Sequence, residues 1–199
     1  MESVEFKDLY QKIRTKIVGR GRELKILLAA LQTSRNLILV GPPGTSKTTI
    51  LREISSAINV PLHMVEGSAD LTPGKLIGIH NPARVMTEGY SPDSFDQGPL
   101  TAAMSSGGFL YIEEFNRMPD DATNTLLRAI DERRIAIPRF GEIRAATSFR
   151  LIGAMNPFDD VGTERLSRAI SDRLCLVELG YQSLSEELEI IQQVTSTTD

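Results

Sequence analysis

The run Asn36-Leu37-Ile38-Leu39-Val40-Gly41-Pro42-Pro43-Gly44-Thr45-Ser46-Lys47-Thr48-Thr49 constrains this chain more than any other stretch. Apolar residues break into a Gly/Pro turn that opens directly into helical sequence. Strand, loop, helix is the order an anion-binding loop requires. Glycines let backbone N–H groups turn inward, and the positive end of the following helix dipole lies behind them. Lys47 then reaches the outer phosphates of a nucleotide, and the Thr48 hydroxyl is a ligand for Mg²⁺. The strict pattern G-x-x-x-x-G-K-[ST] places glycine before the lysine; this chain has Ser46, whose N–H still serves a phosphate. The competing reading is an ordinary turn with an exposed lysine. The flanks favour the phosphate loop: Leu37 to Val40 read as a buried parallel strand, and Ile50, Leu51, Ile54 and Ile58 form an apolar stripe on the helix.

A second stretch, Gly107-Gly108-Phe109-Leu110-Tyr111-Ile112-Glu113-Glu114-Phe115-Asn116-Arg117, is an apolar run ending in two carboxylates. In a parallel sheet it delivers both acids to the carboxyl edge, where ligands of open α/β sheets bind. One acid then holds Mg²⁺ through water while the other activates the attacking water. Taken alone, the pair reads as solvated acids at a strand end; the phosphate loop upstream tips the balance.

With 199 residues, 41% of them hydrophobic, the chain is long enough for one well-packed domain. The single cysteine, Cys175, excludes an internal disulfide framework and, lying in Leu174-Cys175-Leu176-Val177, reads as core. Charges fill the N-terminus where a secretory signal needs an apolar run, and no apolar stretch approaches membrane-spanning length, so a cytoplasmic protein is expected. A net charge of -4 gives no global attraction to nucleic acid.

In order along the chain, Phe6 to Ile13 and Leu24 to Leu31 have helical spacing, with Gly19 and Gly21 breaking between them. Pro61 to Val65 read as a second strand. His63 within it has no partner at metal-ligand spacing, so no zinc site is expected. The Gly/Pro/Asp/Asn-rich segment 68–94 reads as an irregular insertion or small hairpin outside the core. Pro99 starts a helix carrying Leu100, Ala103 and Met104, and Asp120-Asp121 starts another carrying Leu126, Leu127 and Ile130. Residues from Ile135 to Arg144 alternate around a glycine turn, which predicts a β-hairpin tipped with arginines. Phe149 to Met155 form a strand that ends at Asn156. Arg165, Arg168 and Arg173 precede the strand from Leu174 and read, without further context, as solvated charge. A last helix spans Leu184 to Val194.

Together these motifs resemble the AAA+ ATPases and, within them, the MoxR group, over nearly the whole chain from Ile17-Val18-Gly19 to Arg173. The resemblance implies an α/β P-loop NTPase: a three-layer core with a mostly parallel five-stranded sheet between helices, a helix-2 insert at about 68–94 and a pre-sensor-1 hairpin at about 134–150. The family's C-terminal helical lid is missing from the sequence. Gly41, Pro42, Pro43, Gly44, Thr45, Ser46, Lys47, Thr48 and Thr49 are similar to the Walker A loop, and Glu113-Glu114-Phe115-Asn116-Arg117 to Walker B, where the family usually has Asp-Glu-Ile-Asn-Arg. By that likeness Glu114 is the catalytic base, and Glu113 stands at the metal-site aspartate. Its extra methylene moves the carboxylate by roughly one bond, about 1.5 Å. Asn156 matches sensor 1, Val18 and Gly19 the segment touching adenine, and Arg173 the arginine finger acting on a neighbouring subunit, with Arg168 as second choice. Such a finger contributes about 10³ or more in rate.

ATP and Mg²⁺ are the implied cofactors. The implied assembly is a homo-oligomeric ring, a hexamer, working on a protein client with a VWA-domain co-protein as in the MoxR group. Three functions compete. The first is a MoxR-like ATPase remodelling a partner protein. The second is a nucleic-acid motor using Arg139, Arg144 and Arg150 on phosphates, which the acidic balance disfavours. The third is a switch that binds ATP and barely turns it over, in keeping with Glu113.

Overall fold

The computed structural model describes residues 6–157 and 168–195. The chain enters through α1 (Phe6–Arg14) and α2 (Gly21–Gln32), then forms β1 (Asn36–Val40), α3 (Lys47–Ile58) and β2 (Leu62–Glu66). Next come α4 (Pro73–Ile77), β3 (Gly78–His80), α5 (Pro82–Glu88), β4 (Phe95–Gln97), α6 (Pro99–Ser106) and β5 (Phe109–Glu113). They are followed by α7 (Asp120–Glu132), β6 (Arg134–Ile137), β7 (Gly141–Arg144), β8 (Arg150–Met155), α8 (Arg168–Ser171), β9 (Leu174–Glu178) and α9 (Leu184–Thr195).

Five strands make one parallel sheet in the order β2-β5-β8-β1-β9. Side chains alternate across a strand, and here both sides are apolar. Leu37, Leu39, Tyr111, Ile152 and Ala154 face one cluster with Leu24 and Leu27 of α2 and Ile50, Leu51 and Ile54 of α3. Ile38, Leu110, Ile112 and Leu151 face another, with Leu76 of α4, Met104 of α6 and Leu126 of α7. Burying a Leu or Ile side chain stabilises by about 1.5–3 kcal/mol, so apolar residues on both faces demand helices on both. The three-layer α/β architecture follows.

The strands are in register at their carboxyl ends. Val40 pairs with Met155 and Glu178, and Glu66 pairs with Glu113. The residues that leave β1, β5 and β8 are thereby delivered to one edge of the sheet.

Several sequence expectations need correction. The break between α1 and α2 lies at Gly19 and Arg20, with φ of 67° and 54°, whereas Gly21 already belongs to α2. The segment 68–94 is partly core: Leu71 and Leu76 are buried, and the segment holds α4, β3 and α5. β3 pairs antiparallel with β4. The predicted hairpin is β6–β7, but only Arg139 is at its turn; Arg144 pairs with Arg134 at the open end. Cys175 is exposed, because β9 is an edge strand with alternate residues turned outward. Arg150 is buried, donating through Nη1 to the Thr147 and Phe149 carbonyls at 2.6 Å and through Nη2 to Ser34. It has no surface to offer a nucleic acid. His63 sits half-buried in β2, and burial pushes its imidazole pKa down. Arg165 lies outside the described residues. Among the described residues no helix is long and apolar enough to cross a membrane.

Candidate functional site

The loop leaving β1 is shaped by its own backbone. Gly41 passes so close to β9 that a Cβ there would lie 2.1 Å from the Leu179 carbonyl oxygen. No other residue fits. Thr45 Oγ1 donates to the Pro42 carbonyl at 2.8 Å and folds the loop on itself. Ser46 precedes α3 in the left-handed region, with φ of 64°. This conformation explains the glycine of the strict pattern, since a Cβ costs about 1–2 kcal/mol there. Lys47 is the first residue of α3, and its Nζ reaches back into the loop, donating to the Gly41 and Pro42 carbonyls at 2.8 Å and contacting Thr45 Oγ1 at 3.3 Å. Burial lowers the Lys47 pKa; the nearby Glu113 carboxylate opposes this, and the Arg20 charge adds to it.

The acids of β5 arrive beside this loop. Thr48 Oγ1 donates to Glu113 Oε1 at 2.5 Å and lies 3.2 Å from the Tyr111 hydroxyl. The added methylene of Glu113 thus carries its oxygen straight to the Thr48 hydroxyl. Tyr111 and Glu113 are two apart on one strand and so share a face. Burial pushes the Tyr111 pKa up to about 12, which keeps its proton in place through the physiological range. Glu114 follows in the left-handed region, φ 50°, a position that a non-glycine residue holds only when its surroundings impose it. Those surroundings are visible. Gly67 N donates to the Glu113 carbonyl at 2.7 Å, a Cβ on Gly67 would sit 2.4 Å from the Glu114 carbonyl, and Arg117 Nη1 pairs with Glu114 Oε2 at 2.7 Å.

Lys47, Thr48, Tyr111, Glu113, Glu114 and Asn156 line a single cleft of about 450 Å³ with Pro43, Gly44, Thr45, Ser46 and Thr49. Gly41 and Pro42 form the back of the loop and reach the site through their carbonyls on Lys47. Among the described residues no cluster of three or more His, Cys, Asp or Glu is placed to hold a metal. Mg²⁺ is commonly bound through one or two carboxylates and substrate phosphates. Thr48 and Glu113 are the donors that fit.

Other expected residues lie elsewhere. Val18 and Gly19 are outside the cleft lining and sit against the connection to α9. Gln182 Nε2 donates to the Val18 carbonyl at 2.6 Å, and a Cβ on Gly19 would lie 2.5 Å from Glu186 Oε1. Arg20, 6% exposed, ties this corner to the loop, its Nη2 donating to the Thr45 carbonyl at 3.2 Å and to that of Gly180 at 2.7 Å. Arg173 precedes Leu174, which pairs with Asn36 at the start of β1, so it stands at the amino edge of the sheet. One strand length, roughly 15 Å at 3.3 Å per residue, separates the two edges. Arg173 Nε donates to both Asp131 oxygens, at 2.9 and 2.8 Å, and Nη1 to the Ala169 carbonyl at 2.9 Å. Arg168 is exposed at the start of α8. Neither joins Lys47 and Glu114 within this chain. Sequence reasoning missed Arg20, Tyr111, Arg117 and Gln182 as parts of the site or its frame.

A profile of the AAA domain family, dynein-related subfamily, matches residues 36–174, from the first residue of β1 to the first of β9. The chain belongs to that family. This AAA domain is 34% identical over 155 residues to an uncharacterized protein of Staphylococcus epidermidis, covering 77% of this chain and 58% of the other. It is 35% identical over 159 residues to the uncharacterized protein YojN of Bacillus subtilis, covering 77% and 50%. It therefore spans little more than half the length of these curated relatives. Among solved structures, the AAA domain superposes with a TM-score of 0.79 on a Cytophaga hutchinsonii protein described as a candidate ATPase, at 24% identity over 96% of this chain and 56% of that one. A Thermotoga maritima RuvB variant gives a TM-score of 0.64 at 24% identity, over 93% and 54%. Both likenesses speak for the fold.

Proposed function

We propose that this AAA domain binds ATP with Mg²⁺ and hydrolyses it as part of a MoxR-like, cytoplasmic, chaperone-like machine that remodels or matures a partner protein. One observation carries the reading: Lys47, Thr48, Glu113, Glu114 and Asn156 converge on a single cleft at the carboxyl edge of the sheet. The loop N–H groups and Lys47 take the phosphates, Lys47 exchanging its carbonyl partners for phosphate oxygens. Thr48 and Glu113 hold Mg²⁺, which supplies charge neutralisation across the outer phosphates. Glu114 accepts a proton from the attacking water, and Asn156 orients that water. The ion pair with Arg117 keeps the Glu114 carboxylate in place.

In this reading Arg173 serves the cleft of a neighbouring copy, which supports a ring, a hexamer by resemblance to MoxR proteins, with a protein client and a VWA-domain co-protein. Its placement at the amino edge, away from its own cleft, favours action in trans. A nucleic-acid motor is disfavoured by the burial of Arg150 and the pairing of Arg144 Nε with Glu142 at 2.6 Å. The direct contact between Glu113 and Thr48 favours slow turnover as a second reading. Replacing the base by Glu114→Gln in the assembled protein is expected to cut ATP turnover by about 10²-fold or more while nucleotide still binds. Equal turnover in both proteins would remove Glu114 from this role.

A further inference from the structure

We infer that Tyr111 is a positioning residue for the cation-binding hydroxyl of Thr48, an inference that rests on the nucleotide-binding reading of the cleft. A threonine hydroxyl has a single proton to donate and two lone pairs with which to accept. An ionised carboxylate only accepts, so the 2.5 Å contact between Thr48 Oγ1 and Glu113 Oε1 consumes the threonine proton. The Tyr111 hydroxyl lies 3.2 Å from the same oxygen and also bonds the Glu113 carboxylate; its one proton is shared between them, and the phenol faces one lone pair of Thr48. One lone pair of Thr48 remains for a divalent cation. The hydroxyl rotor, which would otherwise turn, is held from two sides.

The rest of the environment fits that role. The Tyr111 ring is 1% exposed and packed in the same cluster as Ile152 and Ala154, so the phenol cannot swing away. Tyr111 is also one of the residues lining the cleft. A phenylalanine would fill the ring's space equally well, so packing alone gives no reason for the hydroxyl. Outer partners that orient metal ligands typically change metal affinity by about 10- to 100-fold when removed.

The test is Tyr111→Phe in the full chain, read by Mg²⁺ titration of the binding of a slowly hydrolysed ATP analogue. The Mg²⁺ concentration giving half of the binding enhancement is expected to rise about 10-fold, with analogue affinity in EDTA unchanged. In a Thr48→Ala background the same substitution is expected to add no further shift, because the oxygen it acts on is gone. An unaltered Mg²⁺ midpoint in Tyr111→Phe, or an equal shift in both backgrounds, overturns the inference while leaving the nucleotide site standing. A wild-type chain that takes up no analogue with or without Mg²⁺ overturns the nucleotide reading itself. Should Tyr111→Phe fail to fold, the chain's lack of tryptophan and its four tyrosines give a second route. With Tyr10, Tyr90 and Tyr181 changed to phenylalanine, the emission of Tyr111 is expected to change when Mg²⁺ joins the bound analogue, and constant emission contradicts the proposal.

Discussion

The two edges of the central sheet are built differently. At the carboxyl edge, Thr48 contacts Glu113 at 2.5 Å and Tyr111 at 3.2 Å, and Lys47 and Glu114 line the same cleft. At the amino edge, Arg173 is fixed to Asp131 on the neighbouring α7 and reaches nothing in that cleft. Binding groups are therefore gathered within one chain, whereas the cation proposed to complete catalysis is carried on the far side. If the proposed role of Arg173 in trans holds, nucleotide binding and turnover should separate, the first needing a single copy and the second a neighbouring one.

The sharpest break between the edges comes from Arg173→Ala. Turnover is expected to fall about 10³-fold, with binding of a slowly hydrolysed analogue unchanged. Mixing this variant with Glu114→Gln should restore part of the activity, since some interfaces then combine an intact base with an intact arginine. Lost analogue binding in Arg173→Ala would place that residue with the carboxyl edge and erase the contrast.

A smaller effect probes the carboxyl edge alone. Tyr111 ionises near 10 when unfolded and at about 12 when folded. A raised folded pKa gives stability that is fully present below pH 10 and lost as pH climbs through 12, because the unfolded state sheds the proton first. The advantage amounts to about 2–3 kcal/mol at 1.36 kcal/mol per pH unit. The urea-unfolding free energy of wild type minus that of Tyr111→Phe should accordingly decline between pH 10 and 12, and a flat difference would deny the burial of the phenol. The smallest effect is at Ser46. Relieving its left-handed strain by Ser46→Gly gains about 1–2 kcal/mol, and the extra backbone entropy of glycine returns about 0.5–1. A net change between about 0 and 1.5 kcal/mol in unfolding free energy is expected.

The carboxyl edge was largely legible in the sequence because its parts are local. A buried strand running into a loop and helix, and a second strand ending in two acids, each occupy about a dozen consecutive residues, and parallel pairing brings their ends together. What escaped notice depends on distant partners. Arg20 meets Gly180 across 160 positions, and Gln182 meets Val18 across 164. Nothing local marks Tyr111 as anything other than an apolar strand residue, since its hydroxyl matters only beside Thr48. Cys175 looked buried because an apolar run does not say whether its strand is central or at the edge. In the segment 68–94, helices of five and seven residues are too short for a helical period to show, so the sequence does not mark Leu76 as core. Arg150 looked available to a ligand because the sequence does not show that its guanidinium closes on the carbonyls of Thr147 and Phe149.

Calorimetric titration of the wild-type chain and of Lys47→Ala with a slowly hydrolysed ATP analogue in Mg²⁺ tests the central claim most directly. Saturable uptake of one nucleotide per chain by wild type, lost in Lys47→Ala, is the expected result. No uptake by wild type, or uptake that Lys47→Ala leaves intact, would contradict the assignment of the cleft between the β1 loop and the tip of β5.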